Sequence, residues 1–166
     1  TVLKLEGRGR APEYVKTTTR CYREAADAYL NDTYNGKLVK GWMSRLETVY
    51  NRGFWDGYYL GQKLGEFSGV SGSKSTKKKI FVSKTSRYYP KLGVAEFDLV
   101  TGSLKKGDTI LITGKVTGVF ETIIDEIHLD RELVAEVKKG DHFSLKLSES
   151  VRVGDRLYKV VDTEYA

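Results

Sequence analysis

Two periodicities divide this sequence. From Pro12 to about Asn51 apolar residues recur at three- and four-residue intervals, and from Lys77 onward they alternate with polar ones. The first spacing lays a stripe along a helix; the second lines one face of a strand. A first helix is predicted to start near Pro12, because proline suits a first helical position, where no N–H partner is needed. Glu13 beside it meets the positive end of the helix dipole. Val15, Tyr22, Ala26, Tyr29 and Leu30 fall on one face, and Asn31-Asp32 ends the helix. A second helix is predicted from about Lys37 to Asn51, with Leu38, Trp42, Leu46, Val49 and Tyr50 on its apolar side and Gly53 as its C-cap.

Phe54-Trp55-Asp56-Gly57-Tyr58-Tyr59-Leu60-Gly61 is an aromatic cluster broken by glycines, read as a compact turn that buries rings against both helices. Residues 65–76, rich in Gly, Ser and Thr, read as a linker. Strands are then expected around Ile80–Lys84, Val94–Leu99, Asp108–Ile112, Gly118–Ile127, Leu133–Val137, His142–Leu147 and Arg156–Val161. Gly107-Asp108, Gly140-Asp141 and Gly154-Asp155 each precede a strand, where glycine supplies positive φ and aspartate bonds the turn. Short strands at this spacing, with edges to hide, predict a closed barrel. The expected class is α+β, with a helical segment over 1–64, a linker over 65–76 and an all-β barrel over 77–166.

Composition narrows the setting. With 166 residues, 40% hydrophobic and 30% charged, the chain reads as globular rather than disordered. No window approaches eighteen uninterrupted apolar residues, so no membrane partner is expected. The first residues carry charges and no apolar run of the secretory kind. Cys21 is a lone thiol, which fits a reducing, cytoplasmic setting. The chain opens on Thr1, its one methionine is Met43, and Val2-Leu3-Lys4-Leu5 reads as a strand cut from a preceding sheet. An upstream domain of the same chain is therefore an expected partner.

Charge is unevenly placed. Residues 74–91 hold Lys74, Lys77, Lys78, Lys79, Lys84, Arg87 and Lys91 with no acid, whereas residues 92–166 hold ten basic and fourteen acidic residues. Phe81, Tyr88 and Tyr89 interleave with those cations. Cations neutralise phosphates and release counterions while aromatic faces stack on bases, so Lys77, Lys78, Lys79, Lys84, Arg87, Tyr88, Tyr89 and Lys91 are candidate nucleic-acid contacts. The bland reading is an edge strand protected by lysines. Glu6-Gly7-Arg8-Gly9-Arg10, between a strand and a helix, would bring Arg8 or Arg10 to an anion, or is a tight turn and nothing more. His128 and His142 lie in strands without metal-ligand spacing, and Cys21 reads as a packed thiol. No catalytic set and no metal site is expected in these residues.

Leu3-Lys4-Leu5-Glu6-Gly7-Arg8, Ala11-Pro12-Glu13-Tyr14-Val15 and Cys21-Tyr22-Arg23-Glu24-Ala25 resemble the collagenase-like peptidase family U32. Asn51-Arg52-Gly53-Phe54, Asp56-Gly57-Tyr58, Tyr88-Tyr89-Pro90-Lys91-Leu92-Gly93-Val94-Ala95, Gly107-Asp108 and Gly154-Asp155 continue the likeness, particularly to the branch of bacterial tRNA uridine-hydroxylation proteins. The resemblance implies a parent with a TIM-barrel-like catalytic domain whose last strand and helix begin this chain. It also implies a C-terminal barrel similar to the second domain of translation elongation factors. It implies an iron–sulfur cluster on four cysteines upstream of Thr1, and no cofactor in this chain. Glu6, Arg8 and Arg10 become the rim of the parent's active site. The implied role is a non-catalytic region that positions tRNA or other RNA, the alternative being a substrate-presenting or stabilising domain of a collagenase-like peptidase.

Overall fold

The computed structural model describes residues 2–54, 61 and 72–163. By its internal packing the chain forms two compact units, Thr1–Lys77 with Thr163–Ala166, and Lys78–Asp162. Trp55–Leu60, most of the aromatic cluster, and residues 65–71 of the expected linker lie outside the described residues.

The first unit carries two helices. The first, α1 (Pro12–Leu30), has Pro12 at its start and Glu13 in its first turn, as the sequence requires. It ends where Asn31 and Thr33 donate back to the Asp27 and Ala28 carbonyls and Asp32 turns to a φ of 55°. The second, α2 (Gly36–Glu47), starts on Asn35, whose Oδ1 accepts from the amides of Lys37 and Leu38 at 3.0 and 3.1 Å. The second helix is shorter than its apolar pattern suggests. Thr48 caps it by donating to the Arg45 carbonyl, so Gly53 is not its C-cap, although its φ of 97° is left-handed. Val49 is buried from the segment that follows the helix.

The packed face of α1 differs from the expected one. Thr18, Cys21 and Ala28 are buried, whereas Val15 and Tyr22 are exposed and Tyr29 and Leu30 reach 74% and 75% exposure. The helix has two apolar stripes, and the smaller side chains win. Cys21, Ala25 and Ala28 leave space for Val39, Trp42 and Leu46 of α2. The Trp42 indole is then oriented by donation to Glu24 Oε2 at 3.0 Å, and Arg45 grips the same carboxylate through both terminal nitrogens.

The second unit is β-rich. Its strands are β1 (Lys77–Tyr89), β2 (Val94–Asp98), β3 (Ser103–Lys105), β4 (Thr109–Gly114), β5 (Gly118–Ile123), β6 (Ile127–Leu129), β7 (Glu132–Val134), β8 (Glu136–Lys138), β9 (His142–Lys146) and β10 (Arg156–Asp162). Eight run in the order β5-β4-β10-β1-β2-β9-β6-β7, and β3 pairs with β8 separately. The expected barrel is not closed, since the sheet begins at β5 and ends at β7. The edges that argued for closure are handled differently. β6 and β7 are three residues long, and β5 carries an outward Glu121, so neither end offers a long apolar template. The expected Gly118–Ile127 and Leu133–Val137 strands are each interrupted, at Ile124–Glu126 and at Ala135, and β3 has no counterpart among the expected strands.

Both sheets bury one face in a single core. Leu104 and Val137 come from the small sheet, and Val82, Ala95, Phe97, Ile110, Ile112, Phe120, Ile127, Phe143, Leu145 and Leu157 from the large one. The three Gly-Asp pairs build one device three times. Each aspartate amide donates to the carbonyl three residues back, and its carboxylate accepts that residue's amide: Lys105 to Asp108, Lys138 to Asp141, Arg152 to Asp155. The preceding glycines sit at φ of 88°, 101° and 88°, as a type II turn demands.

Asp155 also takes the Thr117 hydroxyl, under the backbone of Gly114. A Cβ at Gly114 would land on that carboxylate, so Gly114→Ala should destabilise the chain by about 1–3 kcal/mol in urea denaturation; an unchanged midpoint would contradict this packing. In the helical unit, hydrogen bonding to Arg45 holds the Glu24 carboxyl below the ordinary glutamate range. Its contribution is present above the unfolded value of about 4.3 and is lost as pH falls through the lower folded value. The difference in melting temperature between the native chain and Glu24→Gln should therefore be present at neutral pH and vanish in acid.

Candidate substrate groove and basic strand

Glu6–Arg10 forms a tight turn. The Arg10 amide donates to the Gly7 carbonyl at 3.0 Å, with Gly9 between them at a φ of 70°. Gly7 is needed for another reason: a Cβ there would stand 3.0 Å from a Val15 methyl. Val2–Leu5, expected as a strand, has no ladder partner among the described residues. Glu6, Arg8 and Arg10 all line a groove of about 690 Å³, walled by Tyr14, Thr18 and Tyr22 of α1, Met43 and Leu46 of α2, and residues 49–54.

The groove is cationic at its rim and aromatic along its walls. The Arg10 guanidinium lies 3.7 Å from the centre of the Tyr50 ring, and Arg52 Nε donates to the Tyr50 hydroxyl at 2.8 Å. The hydrogen bond from Arg52, then the charges of Arg52 and Arg10, hold the Tyr50 phenol below the ordinary tyrosine value. Arg8 is exposed, and its guanidinium makes no hydrogen bond or ion pair among the described residues. Thr18 is nine-tenths buried, and its hydroxyl oxygen is itself buried, with no hydrogen-bond partner among the described residues. Tyr50, Arg52, Thr18 and Tyr22 carry no sequence signal that marks them as site residues. Their convergence on Arg10 spans about 40 positions of chain and leaves no local pattern to read.

The basic strand is a separate feature. Lys77, Lys78 and Lys84 are exposed on β1, and Lys91 is exposed in the turn after it. Lys79 is half-buried, its Nζ 4.8 Å from the Tyr158 ring, which meets Phe81 edge-on. Arg87 is occupied, donating to the Tyr89 hydroxyl at 3.1 Å; that hydroxyl donates in turn to Glu96. Tyr88 packs against the core, and its hydroxyl bonds Ser150. Both tyrosines are half-buried with their hydroxyls committed, whereas Lys77, Lys78 and Lys84 are exposed, so the strand offers cations more than rings.

The remaining candidates are structural. The Cys21 thiol is buried against the Trp42 carbonyl, and burial pushes its pKa up, the opposite of what a nucleophile needs. An iron–sulfur cluster takes four thiolates, so the single cysteine of this chain does not fit one. His142 bonds Asp98 at 2.7 Å, and His128 stands 3.6 Å from Glu126. Among the described residues no group of three or more such side chains would hold a metal ion. No helix there is long and apolar enough to cross a membrane.

The Tyr50 arrangement has a direct check. Replacing Arg52 by Gln removes the cation that favours phenolate, so Tyr50 should ionise at higher pH. An absorbance titration, with Tyr50→Phe subtracted to isolate one phenol among eleven, reads this; identical titrations of Arg52→Gln and the native chain would refute the arrangement.

Residues 1–68 match the model of peptidase family U32. A collagenase of Porphyromonas gingivalis is 49% identical over 158 residues, covering 95% of this chain and 38% of its own length. An uncharacterized protease of Methanocaldococcus jannaschii is 38% identical over 163 residues, covering 96% of this chain and 40% of its own. The tRNA hydroxylation protein P of Helicobacter pylori matches more weakly, 40% identical over 60 residues, or 36% of this chain and 14% of its own. The chain thus spans about two fifths of the length of the first two. Among solved structures, the C-terminal domain of a Geobacillus thermoleovorans chain named as a U32 peptidase superposes at a TM-score of 0.45 and 16% identity, covering 48% of this chain and 90% of that one. A bacterial selenocysteine-specific elongation factor superposes at 0.39 and 18%, covering 51% and 15%. At those scores the fold description rests on this chain's own strand order. The family resemblance read from the motifs is borne out: in residues 1–68 the chain carries a segment of peptidase family U32.

Proposed function

We propose that this chain is the non-catalytic C-terminal region of a longer, cytoplasmic U32-family protein and that it positions RNA, a tRNA, for modification by an upstream catalytic domain. The acid-free run of cations on and around β1 carries the reading. Lys77, Lys78 and Lys84 are exposed there, and lysines on phosphates hold a folded RNA without reading its bases. Because Tyr88 and Tyr89 are engaged in the fold, phosphate contact rather than base stacking supplies the affinity. The relation to tRNA hydroxylation proteins over 60 residues adds support. On this reading the Glu6–Arg10 turn forms the rim of the upstream site.

A second reading follows from a different observation. The relative named collagenase aligns over 95% of the chain, β-rich unit included. In a peptidase, an extended peptide would add to an exposed edge such as β5 or β7 and be presented to the upstream domain. A protease assay on the longer protein, beside mass spectrometry of tRNA uridines in a deletion strain, separates the two.

The RNA reading makes a quantitative prediction. Changing Lys77, Lys78 and Lys79 together to Glu should weaken tRNA binding at least tenfold. It should also flatten the dependence of log affinity on log salt by about 0.7 to 0.9 for each phosphate that is no longer neutralised. Equal affinity and equal salt slope in the triple variant would remove the strand as the RNA site.

A further inference from the structure

We infer that one end of the β-rich unit is a docking surface for an anionic membrane, which it meets with two projecting valines flanked by cations. A single carboxylate assembles that end. Asp155 Oδ2 accepts the Thr117 hydroxyl and, at 2.8 Å, the Arg152 amide, which draws the β4–β5 loop against the turn before β10. The Thr85 amide donates to the Asp155 carbonyl and the Gly154 amide to the Thr85 carbonyl, so β1 meets the same junction. Arg156 pairs with Thr113 near the end of β4.

The side chains that this junction leaves outward are of two kinds. Lys84, Lys115, Arg152 and Arg156 are exposed, and their charged groups make no hydrogen bond or ion pair among the described residues. Val116 and Val153, next to Lys115 and Arg152 in the chain, are 71% and 69% exposed, each in a turn. The acid within residues 84–87, 113–118 and 151–156 is Asp155, and it is buried; Glu121 and Glu149 flank these segments outside the turns. This concentration of cations stands out because residues 92–166 as a whole hold more acids than bases.

Together the two kinds favour a bilayer over other polyanions. Cations alone suit RNA, but phosphates gain nothing from valines held in water beside them. A stable protein interface takes about 800 Å² from each partner, more than two short turns present. A bilayer asks for less: apolar side chains enter the headgroup boundary, and each cation near the surface adds about fivefold in affinity. Four cations at that rate give about 600-fold. Such contact needs no spanning segment, and the anionic leaflet faces the cytoplasm, the compartment proposed for this chain. Every residue used lies in the β-rich unit, and none is Lys77, Lys78 or Lys79.

Co-sedimentation of the 166-residue chain with vesicles tests this, comparing phosphatidylcholine alone with an equal mixture of phosphatidylcholine and phosphatidylglycerol. Partition onto the anionic vesicles should be at least about tenfold stronger and should fall as salt is added. Lys115→Gln with Arg152→Gln should weaken it about 25-fold, whereas Lys77→Gln with Lys78→Gln, which removes the same charge from the lysine strand, should stay within about twofold of the native chain. Val116→Ser with Val153→Ser keeps every charge; it should weaken vesicle binding at least about threefold while leaving tRNA binding and the melting temperature unchanged. No preference for anionic vesicles, equal losses in the two charge-matched variants, or valine variants that bind vesicles as the native chain does would each overturn the assignment. So would loss of tRNA binding in the Lys115 and Arg152 variant with vesicle binding intact, which would give this end of the unit to RNA instead. The vesicle and tRNA measurements rest on different residues, so failure here is distinct from failure of the lysine strand as the RNA site.

Discussion

Phe97 and Phe143 face each other across β2 and β9, stacked with ring centroids 5.4 Å apart and almost wholly buried. Their pairing sets which side of the sheet is inside. Side chains alternate along a strand, so a slip of one residue would bring Glu96 and Ser144 into the core and turn both rings outward. With that register held, Ala95 and Leu145 also meet inside. Glu96, Asp98 and His142 are then forced to the outer face, where Arg87 and Tyr89 of β1 join them. The polar chemistry of that surface is thus a consequence of apolar packing beneath it.

The helical unit follows a different logic. Its core is small, built on Cys21, Ala28 and Trp42, and a large indole can be buried there because α1 offers small side chains. The cost of burying the indole N–H is met by Glu24, and the charge of Glu24 by Arg45. Turning that stripe inward leaves Tyr22 at a groove rather than in a core. Arginines and aromatic rings left near solvent by packing are the raw material of the groove.

Two surfaces of different chemistry result. One is a strand with exposed lysines; the other is a groove with a cationic rim and aromatic walls. Both are surfaces that the substrate-positioning role proposed for this chain could use. The relatives that align along nearly the whole chain are more than twice its length.

Local chemistry was legible in the sequence by itself. Pro12 began a helix, the three Gly-Asp pairs made three like turns, and period-two alternation from Lys77 gave strands, because each depends on residues within a few positions of one another. The motif blocks named the family for the same reason. Tertiary structure alone decided which stripe of α1 was buried, since Tyr22 and Tyr29 are larger apolar surfaces than Ala25 and Ala28, and only the shape of α2 favours the smaller set. It also decided that the sheet stays open, because edge protection by short strands and charge is as effective as closure and carries no separate sequence signature. The groove belongs with these: the Glu6–Arg10 turn stands out in the sequence, but Thr18, Tyr50 and Arg52 are ordinary where they stand, and only folding brings them to one concave surface with it.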